Sequence, residues 1–270
     1  MERVQRALDL AKPPRPHASL PEDPRTERDV LNREFSIGTV EYIARLSLDW
    51  EALRERRVVS PDNFQQPAGH AYRMLRTQVL QRARSNGINT IGIVSAVNGE
   101  GKTLTAVNLA LSLAMEPNQT VLLLDLDLRR PAVARTLGLN VDRGLESWFG
   151  GEEPTKNVCY GIEGLERLCV LPTLSPIAHS SETLAGMSTR RLINELKDRD
   201  PGRLLIVDLP PVLLSDDALM VAPLLDAVVL VVNERRTRRE DVVRVVELLA
   251  NTRIIGSVLN CASESEQRAY

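Results

Sequence analysis

The hydrophobic positions of this chain form two patterns that alternate from about residue 70 onward. Short, continuous apolar runs are typical of strands buried on both faces, and segments with helical spacing lie between them. The predicted strands are 91–94, 120–125, 167–171, 203–208, 227–232 and 254–259. The predicted helices are 71–84, 104–115, 188–197, 216–224 and 238–251, with a helical turn at 131–135. This alternation predicts an α/β fold with a doubly wound, mainly parallel sheet and helices on both faces.

The pattern is weaker before residue 70, where prolines are frequent among charged and small residues. That composition is typical of linkers. Helical spacing at 1–11 and 40–57 predicts two short helices, of which the second either docks on a partner or packs on the domain's own surface. We therefore divide the chain into a Pro-rich N-terminal extension (1–68), a regular α/β domain (69–261) and a polar C-terminal tail (262–270).

Composition narrows the class of protein. The 270 residues are 43% hydrophobic with a net charge of −2, which gives no overall attraction to nucleic acid or to an anionic membrane. Aromatic residues make up 3%, too few for a base-stacking platform, and the three cysteines lack metal-ligand spacing. No apolar run approaches the roughly 18–20 residues that span a bilayer. We expect a cytoplasmic protein without a nucleic-acid partner, which reaches the inner membrane only through another protein.

The segment between the first predicted strand and its helix has the composition of a phosphate-binding loop. Glycines let backbone N–H groups converge on phosphate oxygens, and the following helix N-terminus adds partial positive charge. Lys102 can reach the terminal phosphates, and the Thr103 hydroxyl can ligate Mg²⁺. Ala96 stands where the usual pattern has its first glycine. The candidate nucleotide-binding residues here are Ala96, Val97, Asn98, Gly99, Glu100, Gly101, Lys102, Thr103 and Leu104.

Acidic residues follow two other predicted strands. Asp125 and Asp127 end the strand at 120–125, and Asp208 ends the strand at 203–208 before a pair of prolines. Near a phosphate loop, one carboxylate of the first pair could accept a proton while the other holds Mg²⁺ through water. Asp208 has the position of the aspartate that helps to hold Mg²⁺ in P-loop enzymes. The alternative is a polar strand end followed by a helix cap.

These three motifs, in this order, resemble the bacterial protein-tyrosine kinases that use a P-loop fold, and the resemblance covers about residues 70–260. Its specific element is Asp-x-Asp-x-Arg, from Asp125 to Arg129, followed by Arg-Pro, which simple P-loop ATPases lack. Residues 1–60 resemble, more weakly, the extension of members encoded with exopolysaccharide-export genes.

The resemblance implies a role for each matched residue around the nucleotide. Lys102 would contact the β- and γ-phosphates of ATP and would be catalytic. Thr103 would ligate Mg²⁺, Asp127 would belong to the same metal site, and Asp208 would help to hold the ion. Asn260, at the end of the last predicted strand, matches a position that recognises the adenine base.

Two further roles concern the acceptor and the assembly. Asp125 would be the candidate base for a tyrosine hydroxyl, and Arg129 would lie near the phosphates or at a subunit contact. Arg73 and Arg76 match part of the Glu-x-x-Arg-x-x-Arg helix through which ring-forming members assemble, so a homo-oligomer is implied. His70 stands where that motif has its glutamate; a solvated helix face is the alternative for these arginines.

The tail is a second departure from the family pattern. Related kinases carry a tyrosine-rich tail that neighbouring subunits phosphorylate, whereas this tail has one tyrosine, Tyr270, as its last residue. Tyr270 is therefore the phosphosite candidate.

The resemblance implies an ATP- and Mg²⁺-dependent tyrosine autokinase that regulates exopolysaccharide or capsule polymerisation and export. A membrane polysaccharide co-polymerase would be its activating partner. Two alternatives remain open. One is a phosphorylation-poor ATPase switch of the same secretion system. The other is a partitioning or positioning ATPase, although such proteins carry a second lysine where this chain has Val97.

Overall fold

One mixed sheet organises the part of the chain that this computed structural model describes, residues 42–198 and 202–262. Its strands are β1 (Ala44–Leu46), β2 (Thr90–Ser95), β3 (Val121–Asp125), β4 (Tyr160–Ile162), β5 (Leu165–Leu171), β6 (Leu204–Asp208), β7 (Ala227–Asn233) and β8 (Ile254–Asn260). Their order across the sheet is β1-β4-β5-β3-β6-β2-β7-β8. Only the β4–β5 pair is antiparallel, so the predicted doubly wound, mainly parallel sheet is confirmed.

Helices connect these strands. They are α1 (Trp50–Glu55), α2 (Pro67–Asn86), α3 (Lys102–Ala114), α4 (Val133–Leu137), α5 (Leu145–Phe149), α6 (Ser180–Ala185), α7 (Met187–Asp198), α8 (Asp217–Val221) and α9 (Arg239–Leu248). Within the described ranges, no helix combines the length and the apolar character needed to span a bilayer.

Two hydrophobic clusters lie on the two faces of the sheet. Successive side chains of a strand point to opposite faces, and accordingly Ile93 belongs to one cluster and Val94 to the other. The first cluster includes Leu109 of α3 and Val79 of α2, whereas the second includes Leu192 of α7. Helices therefore cover both faces, which is why the central strands are apolar along most of their length.

The structure differs from the sequence prediction between residues 40 and 57. The described part of that segment forms β1 and the short helix α1 instead of one helix. Asp49 explains where α1 begins, because its carboxylate accepts hydrogen bonds from the backbone N–H groups of Glu51 and Ala52. Leu53 of α1 is 1% exposed and belongs to the first cluster, so this segment packs on the domain's own sheet. The boundary proposed between residues 68 and 69 stays a prediction.

The three motif-bearing strands are neighbours in the sheet. β6 lies between β2 and β3, and Asp208 pairs in register with Asp125 on one side and Ile93 on the other. Because the three strands are parallel, their carboxyl ends meet at one edge, where ligands of such sheets bind. The phosphate loop and all three candidate aspartates therefore converge at this edge.

Candidate active site

The phosphate loop owes its shape to two glycines and a buried glutamate. Gly99 and Gly101 have φ values of 79° and 92°, a region that side chains with a Cβ rarely adopt. Glu100 is fully buried, and its carboxylate accepts hydrogen bonds from the Val97 N–H (2.9 Å) and from the Thr237 hydroxyl. Lys102 is the first residue of α3, so the loop leads directly into a helix N-terminus.

Residues from the far end of the chain brace this loop. The Asn260 amide donates to the Glu100 carbonyl oxygen at 2.9 Å, and a Cβ on Gly101 would lie 2.1 Å from the same amide nitrogen. Arg236 donates to the Gly99 carbonyl oxygen at 3.4 Å. Asn260 is a candidate from the sequence, whereas Thr237 and Arg236 are not, because nothing in their spacing connects them with residues 99–100. Adenine recognition by Asn260 stays a prediction.

Lys102 lies at the centre of the acidic cluster. Its ammonium nitrogen is 2.7 Å from the Asp127 carboxylate and 3.4 Å from that of Asp208. The Thr103 hydroxyl donates to the other Asp208 oxygen at 2.6 Å. Burial alone would lower the pKa of Lys102, but the charges of Asp208 and Asp127 outweigh it and hold that pKa above its usual value. Lys102 is therefore positively charged where the phosphate loop approaches the carboxyl ends of β3 and β6.

Asp125 is fully buried and has three backbone partners. One carboxylate oxygen accepts the N–H of Asp127 (3.2 Å), and the other accepts those of Ala132 (3.0 Å) and Val133 (2.9 Å). Burial and the nearby Asp208 charge raise the pKa of Asp125 to about 8. Asp125 thus ties the end of β3 to the start of α4, which agrees with the alternative of a polar strand end and helix cap given in the sequence analysis.

The donor set fits a divalent cation held together with phosphates. Three buried acids, Asp125, Asp127 and Asp208, lie around one lysine, and Asp127 and Asp208 contact it directly. Among the described residues no group of histidines, cysteines and acids forms a protein-only metal site. Mg²⁺ typically binds through one or two side chains plus phosphates and waters, and the Thr103 hydroxyl and Asp208 offer such a partial ligand set.

We expect the free energy of unfolding of the nucleotide-free chain to fall as pH rises from about 4 to about 8. In this window the unfolded chain has lost the Asp125 proton, whereas the folded chain retains it because the folded-state pKa is about 8 and the ordinary pKa of an aspartate is 3.8. Stability therefore declines with pH until the folded carboxyl ionises. Urea unfolding across this range should give a flatter profile for Asp125→Asn than for wild type, and parallel profiles would contradict the assignment.

Arg129 makes a forked ion pair with Asp217, and its place near the phosphates or at a subunit contact stays a prediction. Its Nε and Nη2 donate to the two oxygens of Asp217, both at 3.0 Å. The hydroxyls of Ser180 and Ser181 also donate to Asp217, at 2.7 and 2.6 Å. Burial raises the pKa of Asp217, but the hydrogen bonds from Arg129 and the two serines outweigh it and hold that pKa below its usual range. Asp217 has no local signal in the sequence, because its partners come from two distant segments.

Removing Arg129 should cost more stability than removing the charge of its partner. Arg129→Gln leaves the fully buried Asp217 without a cation, and we expect a loss of about 2 kcal/mol. Asp217→Asn leaves Arg129, which is half exposed and can be hydrated, so the loss should be smaller. Chemical unfolding would measure both, with the exposed neighbour Arg130→Gln as control. Equal losses for Arg129→Gln and Arg130→Gln would refute this account.

The candidate oligomer contacts lie on α2. Arg76 is engaged within the chain, since it donates to the Ser112 carbonyl oxygen at 3.0 Å and pairs with Glu116 at 2.8 Å. Arg73 donates to Gln65 at 3.3 Å, and His70 is exposed. A subunit contact through Arg73 and Arg76 stays a prediction. Tyr270 and the tail from residue 263 onward lie outside the described residues.

Comparison with known proteins gives consistent matches. The family model described as "ParA: NUBPL iron-transfer P-loop NTPase" matches residues 87–267. The Bacillus subtilis tyrosine-protein kinase YwqD is 28% identical over 80% of this chain and 90% of its own length. The succinoglycan biosynthesis transport protein ExoP of Rhizobium meliloti is 31% identical over 67% of this chain but 23% of its own length. The kinase domain of the Escherichia coli tyrosine kinase Etk superposes with a TM-score of 0.67, at 25% identity, over 84% of this chain and 93% of that domain.

The fold, the phosphate loop and the family match define the class: the chain belongs to the ParA family of P-loop NTPases. Proteins of this class bind a nucleotide with Mg²⁺. Within this family, the chain is similar to bacterial tyrosine-protein kinases, as its matches to YwqD and to the Etk kinase domain show.

Proposed function

We propose that this chain is an ATP-dependent tyrosine autokinase that regulates the polymerisation and export of an exopolysaccharide or capsule. The observation that carries the proposal is the contact of Lys102 with both Asp127 and Asp208 at the end of the phosphate loop. The polysaccharide link is supported by the name of the relative ExoP, a succinoglycan biosynthesis transport protein.

The residues around Lys102 support phosphoryl transfer from ATP. Backbone N–H groups of residues 96–104 would bind the phosphates, and Lys102 would leave its carboxylate partners to contact the terminal phosphates. Thr103, Asp127 and Asp208 would hold Mg²⁺, which when bound neutralises charge that develops on the transferring group. Phosphoryl transfer depends mainly on positioning and charge neutralisation, so these groups suffice without a covalent enzyme intermediate.

Asp125 is the proposed acceptor of the tyrosine proton. Only the ionised carboxylate can accept this proton, so with a pKa of about 8 the base should become more available as pH rises through that value. Its three backbone hydrogen bonds fix the carboxylate, so proton transfer would occur at a defined position.

Tyr270 is the proposed acceptor on the chain itself. The other three tyrosines are built into the fold: Tyr160 is 3% exposed and donates to the Arg143 carbonyl, and Tyr42 and Tyr72 are partly buried. With γ-labelled ATP and Mg²⁺, we expect label on wild type and a large reduction in Tyr270→Phe, with Tyr42→Phe as the matched control. If Tyr270→Phe is labelled as strongly as wild type, Tyr270 is not the acceptor. ATP hydrolysis without any phosphotyrosine would favour the switch-like ATPase.

We further propose that the cytoplasmic tail of a membrane polysaccharide co-polymerase activates the site and holds the kinase at the inner membrane. A cationic surface beside the phosphate loop supports this partner: four exposed arginines, Arg235, Arg236, Arg238 and Arg239, follow β7, and Arg236 already contacts the loop. An acidic segment is the chemistry that such a surface would attract. The isolated chain should therefore be a weak kinase, and full turnover by the purified protein alone would count against an activator.

The same proposal includes a homo-oligomer in which one subunit phosphorylates the tail of another. Dilution of the purified kinase should then lower the specific rate of tyrosine labelling. A specific rate independent of protein concentration would indicate phosphorylation within one chain.

A further inference from the structure

A cavity that does not belong to the phosphate site lies between α5, the segment 151–156 and α7. Its volume is about 530 Å³, within the range of small-ligand sites. The N–H of Leu145, the first residue of α5, donates to the Pro172 carbonyl just after β5, which ties the start of α5 to the end of that strand. Its lining shares no residue with the phosphate loop or with the three acidic motif positions.

Aromatic side chains form one wall of this cavity. Trp148 and Phe149 both line it and meet edge to face, with ring centroids 5.2 Å apart. The Trp148 indole N–H donates to the Thr155 hydroxyl at 3.1 Å, and that hydroxyl donates to Glu195 at 2.9 Å. This chain of hydrogen bonds fixes the indole plane, so the wall is a preformed surface for another aromatic ring.

Two cations line the same cavity. Lys156 and Arg191 are exposed, and neither forms an ion pair within the described residues. Of the two lining acids, Glu153 is paired with Arg143 at 2.9 Å, whereas Glu195 accepts the Thr155 hydroxyl and keeps its charge. Lys156 and Arg191 therefore outnumber the one lining acid that has no cation among the ion pairs described, next to the aromatic wall.

We propose that this cavity is a phosphotyrosine-binding site. A phosphotyrosyl side chain carries an aromatic ring, which would pack on Trp148, and a phosphate of charge about −1.5 to −2, which would pair with Lys156 and Arg191. The binding is reversible and involves no covalent step. Its role would be to retain a phosphorylated segment, such as the tail of a second copy, away from the nucleotide site after transfer.

The choice of ligand rests on the proposed kinase function, but a binding test does not need catalysis. We would titrate the full chain against a fluorescent peptide of residues 263–270 phosphorylated at its tyrosine, and against the unphosphorylated peptide. The phosphopeptide should bind at least about tenfold more tightly, because only it can form charge-assisted hydrogen bonds with both cations. The phosphopeptide should also change the tryptophan fluorescence of the Trp50→Phe variant, in which Trp148 is the one remaining tryptophan of the chain's two.

Variants of the two cations make the test specific. Lys156→Gln combined with Arg191→Gln should weaken phosphopeptide binding by at least about tenfold and leave nucleotide binding unchanged. The matched control, Arg190→Gln with Arg244→Gln, removes the same charge from exposed positions that do not line the cavity and should bind like wild type. Equal affinity for the two peptides, or an unaffected double cavity variant, would overturn the site. Active kinase without phosphopeptide binding would overturn this inference alone, whereas binding without kinase activity would overturn the proposed function alone.

Discussion

Lys102→Met is expected to abolish tyrosine phosphorylation and to destabilise the nucleotide-free protein at the same time. Lys102 is the one cation in contact with Asp127 and Asp208 among the described residues, at 2.7 and 3.4 Å. Without it, the transferring phosphates lose a positioned positive charge, which should lower the rate at least about 100-fold. The buried carboxylates also lose their counter-charge, which should cost about 2 kcal/mol of unfolding free energy.

The matched control for this variant is Lys197→Met. Lys197 also pairs with an aspartate, Asp226, at 2.8 Å, but it lies outside the site. It should keep wild-type phosphorylation and lose little stability, because both partners are partly exposed. Phosphotransfer in a folded Lys102→Met protein at the rate of the Lys197→Met control would show that the lysine has no role in the reaction.

Asp208→Asn should also lose phosphotransfer, but with the opposite effect on stability. The substitution removes a carboxylate that accepts the Thr103 hydroxyl at 2.6 Å and would help to hold Mg²⁺, so the rate should fall at least about 100-fold. Burial raises the pKa of Asp208, and Lys102 offsets this only in part, so the charged form is unfavourable in the nucleotide-free fold. The amide relieves that cost, and the unfolding free energy should equal or exceed that of wild type.

The pair of stability changes distinguishes an acidic metal site from a structural cluster. A cluster that merely stabilises the fold would be weakened by either Lys102→Met or Asp208→Asn. If the acids instead form a site for a cation that binds only with the nucleotide, Lys102→Met should lower the unfolding free energy of the nucleotide-free protein and Asp208→Asn should not. Asp226→Asn is the control for the aspartate change, since Asp226 caps a strand start far from the loop and binds the N–H groups of Asn89 and Thr90 at 2.9 Å.

The sequence predicted most of the sheet because burial on both faces leaves a strong local signal. β2, β3, β6 and β7 are continuous apolar runs, and the structure confirms each of them within one or two residues. β1 and β4 were missed because each has only three residues, and their pairing with distant strands has no local signature. The order of the strands could not be predicted from these runs either, because β6 lies between β2 and β3 through contacts of residues that are distant in sequence.

The candidate site was partly predictable for a related reason. Residues at the ends of parallel strands must converge, so Asp125 and Asp208 could be grouped with the phosphate loop from the sequence alone. The contacts that hold the site in shape could not be predicted from the sequence. The hydrogen bond from Thr237 to Glu100 and the ion pair of Arg129 with Asp217 join segments separated by 137 and 88 positions. Only the packed fold brings such groups together.

The central claim is that this chain transfers phosphate from ATP to tyrosine by way of Lys102. The most direct measurement is mass spectrometry of the full-length protein isolated from cells that contain its native partners, compared with Lys102→Met isolated in the same way. The account predicts phosphotyrosine, first of all at Tyr270, in wild type and none in the variant. Phosphotyrosine at the same level in both proteins, or its absence from a wild-type protein that binds and hydrolyses ATP, would contradict it.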